Sequence, residues 1–173
     1  MIIIKDIYGN VLREVNADSL VGANLQYADL RGADLQHANL QDADLRDADL
    51  QDAHLRYADL RDAHLQHADL RGADLLYANL RGANLLYADL LGANLRGATY
   101  GKATLSKGFE QITGLLWPVF FFDNHIKIGC QMHTTKQWEK MSKAAIALLD
   151  SRATEFWEAN KATIIAAAHK HQD

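Results

Sequence analysis

Cys130 and His133 stand three apart in the run CQMH, and His125 precedes them across DNH, a segment that reads as the turn of a β-hairpin. A thiolate and two imidazoles are zinc-ligand types, and His169 and His171 near the terminus could complete a set of four. Against this stands the lack of any second C-x-x-C. The same Cys130–His133 pair has the residue types of an activated nucleophile, yet no third orienting group or oxyanion donor accompanies it. A buried small thiol with a capping or surface histidine is the reading these residues favour, so no cofactor is expected. Cys130, His133 and His125 remain the candidates should this end of the chain bind a metal or small ligand. As the only cysteine of 173 residues, Cys130 cannot form an internal disulfide, and nothing requires an oxidising compartment.

The second chemistry-bearing group is acidic. Asp29, Asp49, Asp69 and Asp89 recur every twenty residues, and Asp42, Asp44, Asp47, Asp49, Asp52, Asp59 and Asp62 crowd one stretch that holds only Arg46, Arg56 and Arg61 in return. That stretch carries the formal −4 of the whole chain. A negative balance disfavours a general phosphate binder, so no direct nucleic-acid ligand is expected. Neither a membrane-length apolar run nor the basic start and apolar core of a signal peptide is present, which predicts a cytoplasmic protein with no membrane partner.

What must position these residues is a repeat. From Leu25 to Leu105 a central residue recurs every five, Leu in 16 of 17 cases with Tyr100 the exception, and Ala always stands two before it. Between them is Asp or Asn in 13 of the 15 units from Leu25 to Leu95, with His54 and His64 in the other two. A period of five fits neither the 3.6 of a helix nor the 2.0 of a plain strand. A chain that turns a corner every five residues closes on itself after four units, keeps Ala and Leu inward on every side, and pairs its backbone between coils stacked about 4.8 Å apart.

With its A-[DN]-L-x-x units, such as GADLR, HANLQ and DADLR, the segment from about 16 to 107 resembles the pentapeptide repeat family. The resemblance implies a right-handed quadrilateral β-helix in a mainly β fold. Residues twenty apart should then stack in columns, and a solid Leu/Ala interior leaves no cavity for a substrate, which argues against an enzyme. Within the columns the Asp and Asn are expected to accept hydrogen bonds from corner amides as Asx turns. Several members of the family resemble duplex DNA in size and charge and bind DNA gyrase in its place. This implies a protein partner, such as a type II topoisomerase, met by Asp29, Asp49, Asp69 and Asp89 with Asp42, Asp47, Asp52 and Asp62. The interleaved Arg and Gln count against specific DNA mimicry and favour a mixed, solvated surface.

The outward position after each Leu is Gln or Arg ten times from Gln26 to Arg71, then becomes Leu76, Arg81, Leu86, Leu91 and Arg96. Three apolar residues there, with Tyr77 and Tyr87 beside them and a His37, Tyr57, Tyr77 column, predict a covered surface, either within the chain or with a partner. Both ends of a β-helix need capping against polymerisation. At the N-terminus, residues 1–15 read as a hairpin about IYGN. From 108 to 173 the composition changes: all three Trp, the only Pro and all five Phe predict a small α+β unit. WPVFFF and IKIGC form a hairpin with its turn at Asp123 to His125. Helices follow over about 135–149, interrupted at Ser142, and about 151–169, started near Ser151, with Ala153, Phe156, Trp157, Asn160, Ile164 and Ala167 on one face. The cluster Trp117, Phe120, Phe121, Phe122, Trp138, Phe156 and Trp157 reads as core, with alternate members of the Phe run facing opposite sides of a strand so that one side meets the coil or a second subunit. Trp117, Phe120 and Phe122, with the exposed residues of the last coil, make the expected interface, and the unit is expected to cap the coil and build a homodimer. Three functions remain open: a non-enzymatic binding scaffold, a C-terminal unit binding a metal or small ligand, and a compact phage-type inhibitor of a host enzyme.

Overall fold

A computed structural model describes residues 1–101, 103–105, 109–112, 115–117, 119–129 and 131–172. The chain divides into two compact units, Met1–Phe109 and Glu110–Asp173.

In the first unit, parallel bridges join residues twenty apart, from Asn24 with Asp44 up to Asn79 with Thr99. The columns expected from the five-residue period are therefore present, and Leu25, Leu45, Leu65 and Leu85 are wholly buried, as are their counterparts on the second side, Leu30, Leu50, Leu70 and Leu90. Each such Leu contributes about 1.5–3 kcal/mol by leaving water. Tyr100 takes the place of a Leu in the fourth column, and burial pushes its phenol up to about 12.

The backbone accounts for the motif residue by residue. The Ala N–H closes each corner by donating to the Leu carbonyl three residues before it, as Ala28 does to Leu25 at 3.2 Å. The Asp/Asn N–H donates to the coil below (Asp44 to Ala23, 2.9 Å), while the Leu N–H (Leu25 to Asp44, 2.8 Å) and the N–H of the residue two beyond it (Tyr27 to Arg46, 3.1 Å) donate to the coil above. One N–H per unit is left, that of the residue after Leu, which a side chain or water must satisfy. The Asp or Asn two residues earlier does so at every such position from Asn24 to Asn94. These are the expected Asx turns, and they explain why Asp and Asn interchange.

The corner residue two beyond Leu is always left-handed: φ is +54° to +60° at the non-glycine corners from Tyr27 to Tyr87. A positive φ at the third residue of a four-residue turn is the type II signature. Gly or Asp alternates there with Tyr, His or Asp every five residues, a ten-residue rhythm within the twenty-residue coil. Like corners therefore lie diagonally opposite.

At the N-terminus, β1 (Ile2–Lys5) pairs antiparallel with β2 (Val11–Val15), with a register shift at Ile4 and Lys5. The Asp6 carboxylate holds the turn through the Tyr8 and Asn10 N–H groups at 2.9 and 2.8 Å. Lys5 carbonyl accepts from Asp34 N–H at 2.8 Å, supplying on that side of the first coil the acceptor that Ala33 gives His54 one coil higher. At the other end of the repeat, β3 (Thr99–Tyr100) pairs with β4 (Ala103–Thr104).

In the second unit, β5 (Phe109–Ile112), β6 (Val119–Phe122), β7 (His125–Ile128) and β8 (Gln131–Thr134) form one sheet in that order. Phe122 pairs with His125, so the hairpin turn is Asp123–Asn124, with His125 already in the strand. Helices α1 (Thr135–Lys140) and α2 (Lys143–Ala147) are split at Ser142, which caps α2 by accepting from Ala145 N–H at 3.2 Å. The last helix, α3 (Ala153–Gln172), begins after Asp150, whose carboxylate accepts from Arg152 N–H; Ser151 lies before the helix. Phe121, Trp138, Phe156 and Trp157 share the core with Val119, Ile126, Ile128, Ile146 and Ile164. Trp138 Nε1–H reaches the Ile126 carbonyl at 2.8 Å.

Candidate functional site

With the interior closed, the chemistry of the repeat unit lies on its sides and corners. On the sides, the aspartates that make Asx turns are also held by arginines. Arg31 bonds Asp29 at 2.7 Å and stands 3.6 Å from Asp49; Arg71 bonds Asp69 at 2.5 Å and stands 3.9 Å from Asp89. The expected row of four carboxylates is thus two Asp–Arg–Asp ladders, with Gln51 adding a bond to Asp69 at 2.9 Å. Arg46 and Arg61 hold Asp44 and Asp59 in the same way, and Arg56 lies 3.6 Å from Asp74. The arginine hydrogen bonds lower the Asp29, Asp59 and Asp69 carboxyls below their usual range, and bring Asp44 to about 2.

The corner aspartates differ. Asp42, Asp47, Asp52 and Asp62 are exposed, and none has an ion-pair partner within 4 Å among the described residues. Asp42 and Asp62 stack on one edge, and Asp52 stands on the diagonally opposite edge. Arg46 acts on Asp47, and Arg61 on Asp42 and Asp62, at longer range only, so the most exposed carboxylates of the middle coil sit on the corners.

The other corners carry aromatic rings. His37, Tyr57 and Tyr77 stack at centroid distances of 5.0 and 5.2 Å, and His67 stacks with Tyr87 at 5.0 Å. The first ladder ends at Gly97, where a Cβ would overlap the Tyr77 ring. Among the expected interface residues of the last coils, Leu76 is buried, Leu86 half-buried, Tyr77 and Tyr87 exposed, and Leu91 is 69% exposed. In the second unit, Phe120 and Phe122 are buried on the sheet face opposite Val119 and Phe121, and Trp117 packs on the helix-side core, edge-on to Phe156 at 4.9 Å.

The structure separates the expected metal ligands. His133 pairs with Ile126 and meets Trp138 edge-on at 5.1 Å, on the helix side of the sheet. His125, one residue from Ile126 along β7, projects from the other face. The two imidazoles cannot share an ion. Cys130 and the His171 side chain lie outside the described residues; His169 is engaged with Glu139 at 2.7 Å. Among the described residues no group of three potential ligands could hold a metal. Burial lowers the His125 imidazole from its ordinary value, and its Nδ1 is buried without a hydrogen-bond partner.

The pentapeptide repeat model, eight copies, matches residues 19–52, 43–76 and 63–99. Through these residues the chain belongs to the pentapeptide repeat family. Pentapeptide repeat proteins are structural scaffolds, often protein-interacting and generally non-enzymatic. Solved members similar to this chain include one from the Arabidopsis thaliana thylakoid lumen (27% identity over 48% of this chain and 58% of that one, TM-score 0.33). Two others are cyanobacterial: one from Cyanothece 51142 (37%, 51% and 64%, TM-score 0.34) and one from Nostoc PCC 7120 (48%, 51% and 69%, TM-score 0.39). The matches to the first two span less than two thirds of those proteins. No curated protein matches the chain. No helix among the described residues is long and apolar enough to cross a membrane.

Sequence reasoning placed charge in the right coil and missed its distribution. The signal was available: Arg follows Asp by two residues in Asp29–Arg31, Asp44–Arg46, Asp59–Arg61 and Asp69–Arg71, the spacing at which an Asx-turn carboxylate meets the next outward side chain.

Proposed function

We propose that the repeat unit is a non-enzymatic scaffold that binds a basic surface of another protein through the corner carboxylates of Asp42, Asp47, Asp52 and Asp62. The observation that carries this reading is that these four are exposed and have no ion-pair partner within 4 Å among the described residues, while arginines hold the side aspartates. Unpaired carboxylates attract a partner at long range and resist its charge less than paired ones do, so they dominate steering and partner choice.

A nucleic-acid enzyme such as a type II topoisomerase is the partner class this charge suits, since its DNA-binding surface is basic. The Asp–Arg–Asp ladders limit the likeness to duplex DNA to the edges of the middle coil. The experiment is gyrase supercoiling titrated with the wild-type chain and with a variant carrying Asn at all four corners. Inhibition by the wild type, lost in the variant while its circular dichroism and melting are retained, is expected. Supercoiling indifferent to a large excess of wild type would remove the topoisomerase as partner, and inhibition undiminished in the variant would remove the corner carboxylates as its basis.

A further inference from the structure

The second unit contains a cavity of about 340 Å3 lined by Met141, Lys143, Ile146, Thr154, Trp157, Glu158 and Lys161. This is at the small end of the ~300–1,000 Å3 range of small-molecule sites. Met141, Ile146 and Trp157 give it an apolar floor; Ile146 and Trp157 belong to the hydrophobic core, so the floor is fixed by packing. Its charges are unequal in their commitments. Lys143 is neutralised by Glu158 at 2.6 Å. Lys161 has no ion-pair partner among the described residues: its Nζ donates once, to the Glu139 carbonyl at 3.0 Å, and lies 5.7 Å from the Trp157 ring centroid. An ammonium has three donors, so two remain.

We propose that this cavity binds a small aromatic carboxylate, its ring on the Met141, Ile146 and Trp157 floor and its carboxylate on Lys161. The net charge of the lining is one positive, which matches a monoanion and disfavours a phosphate dianion. The carbonyl contact and the indole hold the Lys161 stem in place before a ligand arrives, which reduces the side-chain entropy lost on binding. The charge-assisted contact to the ammonium supplies most of the affinity and the choice of acid over amide, and the narrow apolar floor orients the ring. This site is separate from the corner carboxylates, so either reading can fail without the other.

The test uses the full chain and 1-naphthoate as probe, titrated by calorimetry, with 1-naphthamide as the uncharged control. Saturable one-to-one binding is expected, with naphthamide at least roughly tenfold weaker, as loss of a charge-assisted hydrogen bond implies. Lys161→Met should weaken naphthoate to the naphthamide level and leave naphthamide unchanged, while Lys161→Arg keeps the preference for the acid. Thr154→Trp, which puts an indole in place of a small lining residue, should abolish binding of both. No saturable binding by the wild type at millimolar naphthoate, equal affinity for acid and amide, or binding that survives Thr154→Trp would each overturn the proposal.

Discussion

Replacing Asp44 separates two things its carboxylate does. Its Oδ1 accepts from the Arg46 N–H at 3.3 Å, closing the Asx turn, and both oxygens take the Arg46 guanidinium at 2.8 and 2.7 Å, with Gln26 Nε2 at 2.5 Å. These bonds, Arg46 first, lower the carboxyl from 3.8 to about 2. A carboxyl whose folded value lies below its unfolded one stabilises the fold fully above the unfolded value, and this contribution disappears as pH falls through the folded value. The difference corresponds to roughly 2 kcal/mol by linkage, and with the Arg46 side chain 46% exposed, solvent screening reduces it to ~1 kcal/mol. Asp44→Asn keeps the Asx acceptor and loses the ion pair; Asp44→Ala loses both. At pH 7, urea unfolding followed by far-ultraviolet circular dichroism should place Asn about 1 kcal/mol below wild type and Ala about 1 kcal/mol lower still. Between pH 4 and pH 2 the gap between wild type and Asn should close, because the wild-type carboxyl then protonates. Equal losses for Asn and Ala at pH 7 would refute the backbone accounting, and a wild-type-to-Asn gap that persists at pH 2 would refute the ion-pair assignment.

Three further substitutions probe the same repeat unit. His64 is one of two interruptions of the Asp/Asn column, and Gln66 N–H, which it leaves without an Asx acceptor, should gain one in His64→Asn; thermal melting is expected to show a stabilisation of about 0.5–1 kcal/mol. Gly97 and Gly92 have φ of +73° and +74°, but a Cβ on Gly97 would overlap the Tyr77 ring, while on Gly92 it would meet only Gly72 N at 3.8 Å. Each Ala variant should lose ~1 kcal/mol to left-handed strain, and Gly97→Ala a further ~1–2 kcal/mol by forcing Tyr77 out of its stack; equal melting of the two variants would contradict the ring contact.

The repeat was legible because its constraints are local and recur. One unsatisfied N–H per unit calls for Asp or Asn, the tight interior admits Ala, and Leu fills the side; each demand leaves its mark every five residues. The hairpin at residues 2–15 was legible from the IYGN turn between the runs MIIIKD and VLREV, with Gly9 at φ +88°. The second unit was harder to read. Gln131–Thr134 carries no hydrophobic alternation and becomes a strand through pairing with β7, a tertiary effect absent from local sequence. The metal candidates failed for a geometric reason: His125 and His133 are near in sequence and pair across adjacent strands at an offset of one residue, and in a sheet one residue reverses the face. The start of α3 moved from Ser151 because Asp150 already caps that turn.

The two kinds of aspartate differ in what the fold asks of them. On the sides, an acceptor is required whatever the function, so Asp there says little about a partner, and Arg two residues later absorbs its charge. At the corners the backbone asks only for a left-handed φ, which Gly adopts freely and other residues adopt at a cost. Tyr57 and Tyr77 offset that cost by stacking, worth about 0.5–1.5 kcal/mol per pair. Asp42, Asp52 and Asp62 stand in columns where Gly22, Gly32, Gly72 and Gly82 occupy the neighbouring coils, so Gly fits the same corner. Their carboxylates form no close ion pair among the described residues, and Arg61 acts on Asp42 and Asp62 only at longer range. Since Gly occurs at the same corners and Asp also tolerates a left-handed φ, the backbone does not require a carboxylate there, and what the side chain presents to the outside is the remaining distinction. That asymmetry supports the proposed partner surface on the edges of the middle coil, and it is independent of any likeness between this chain and another.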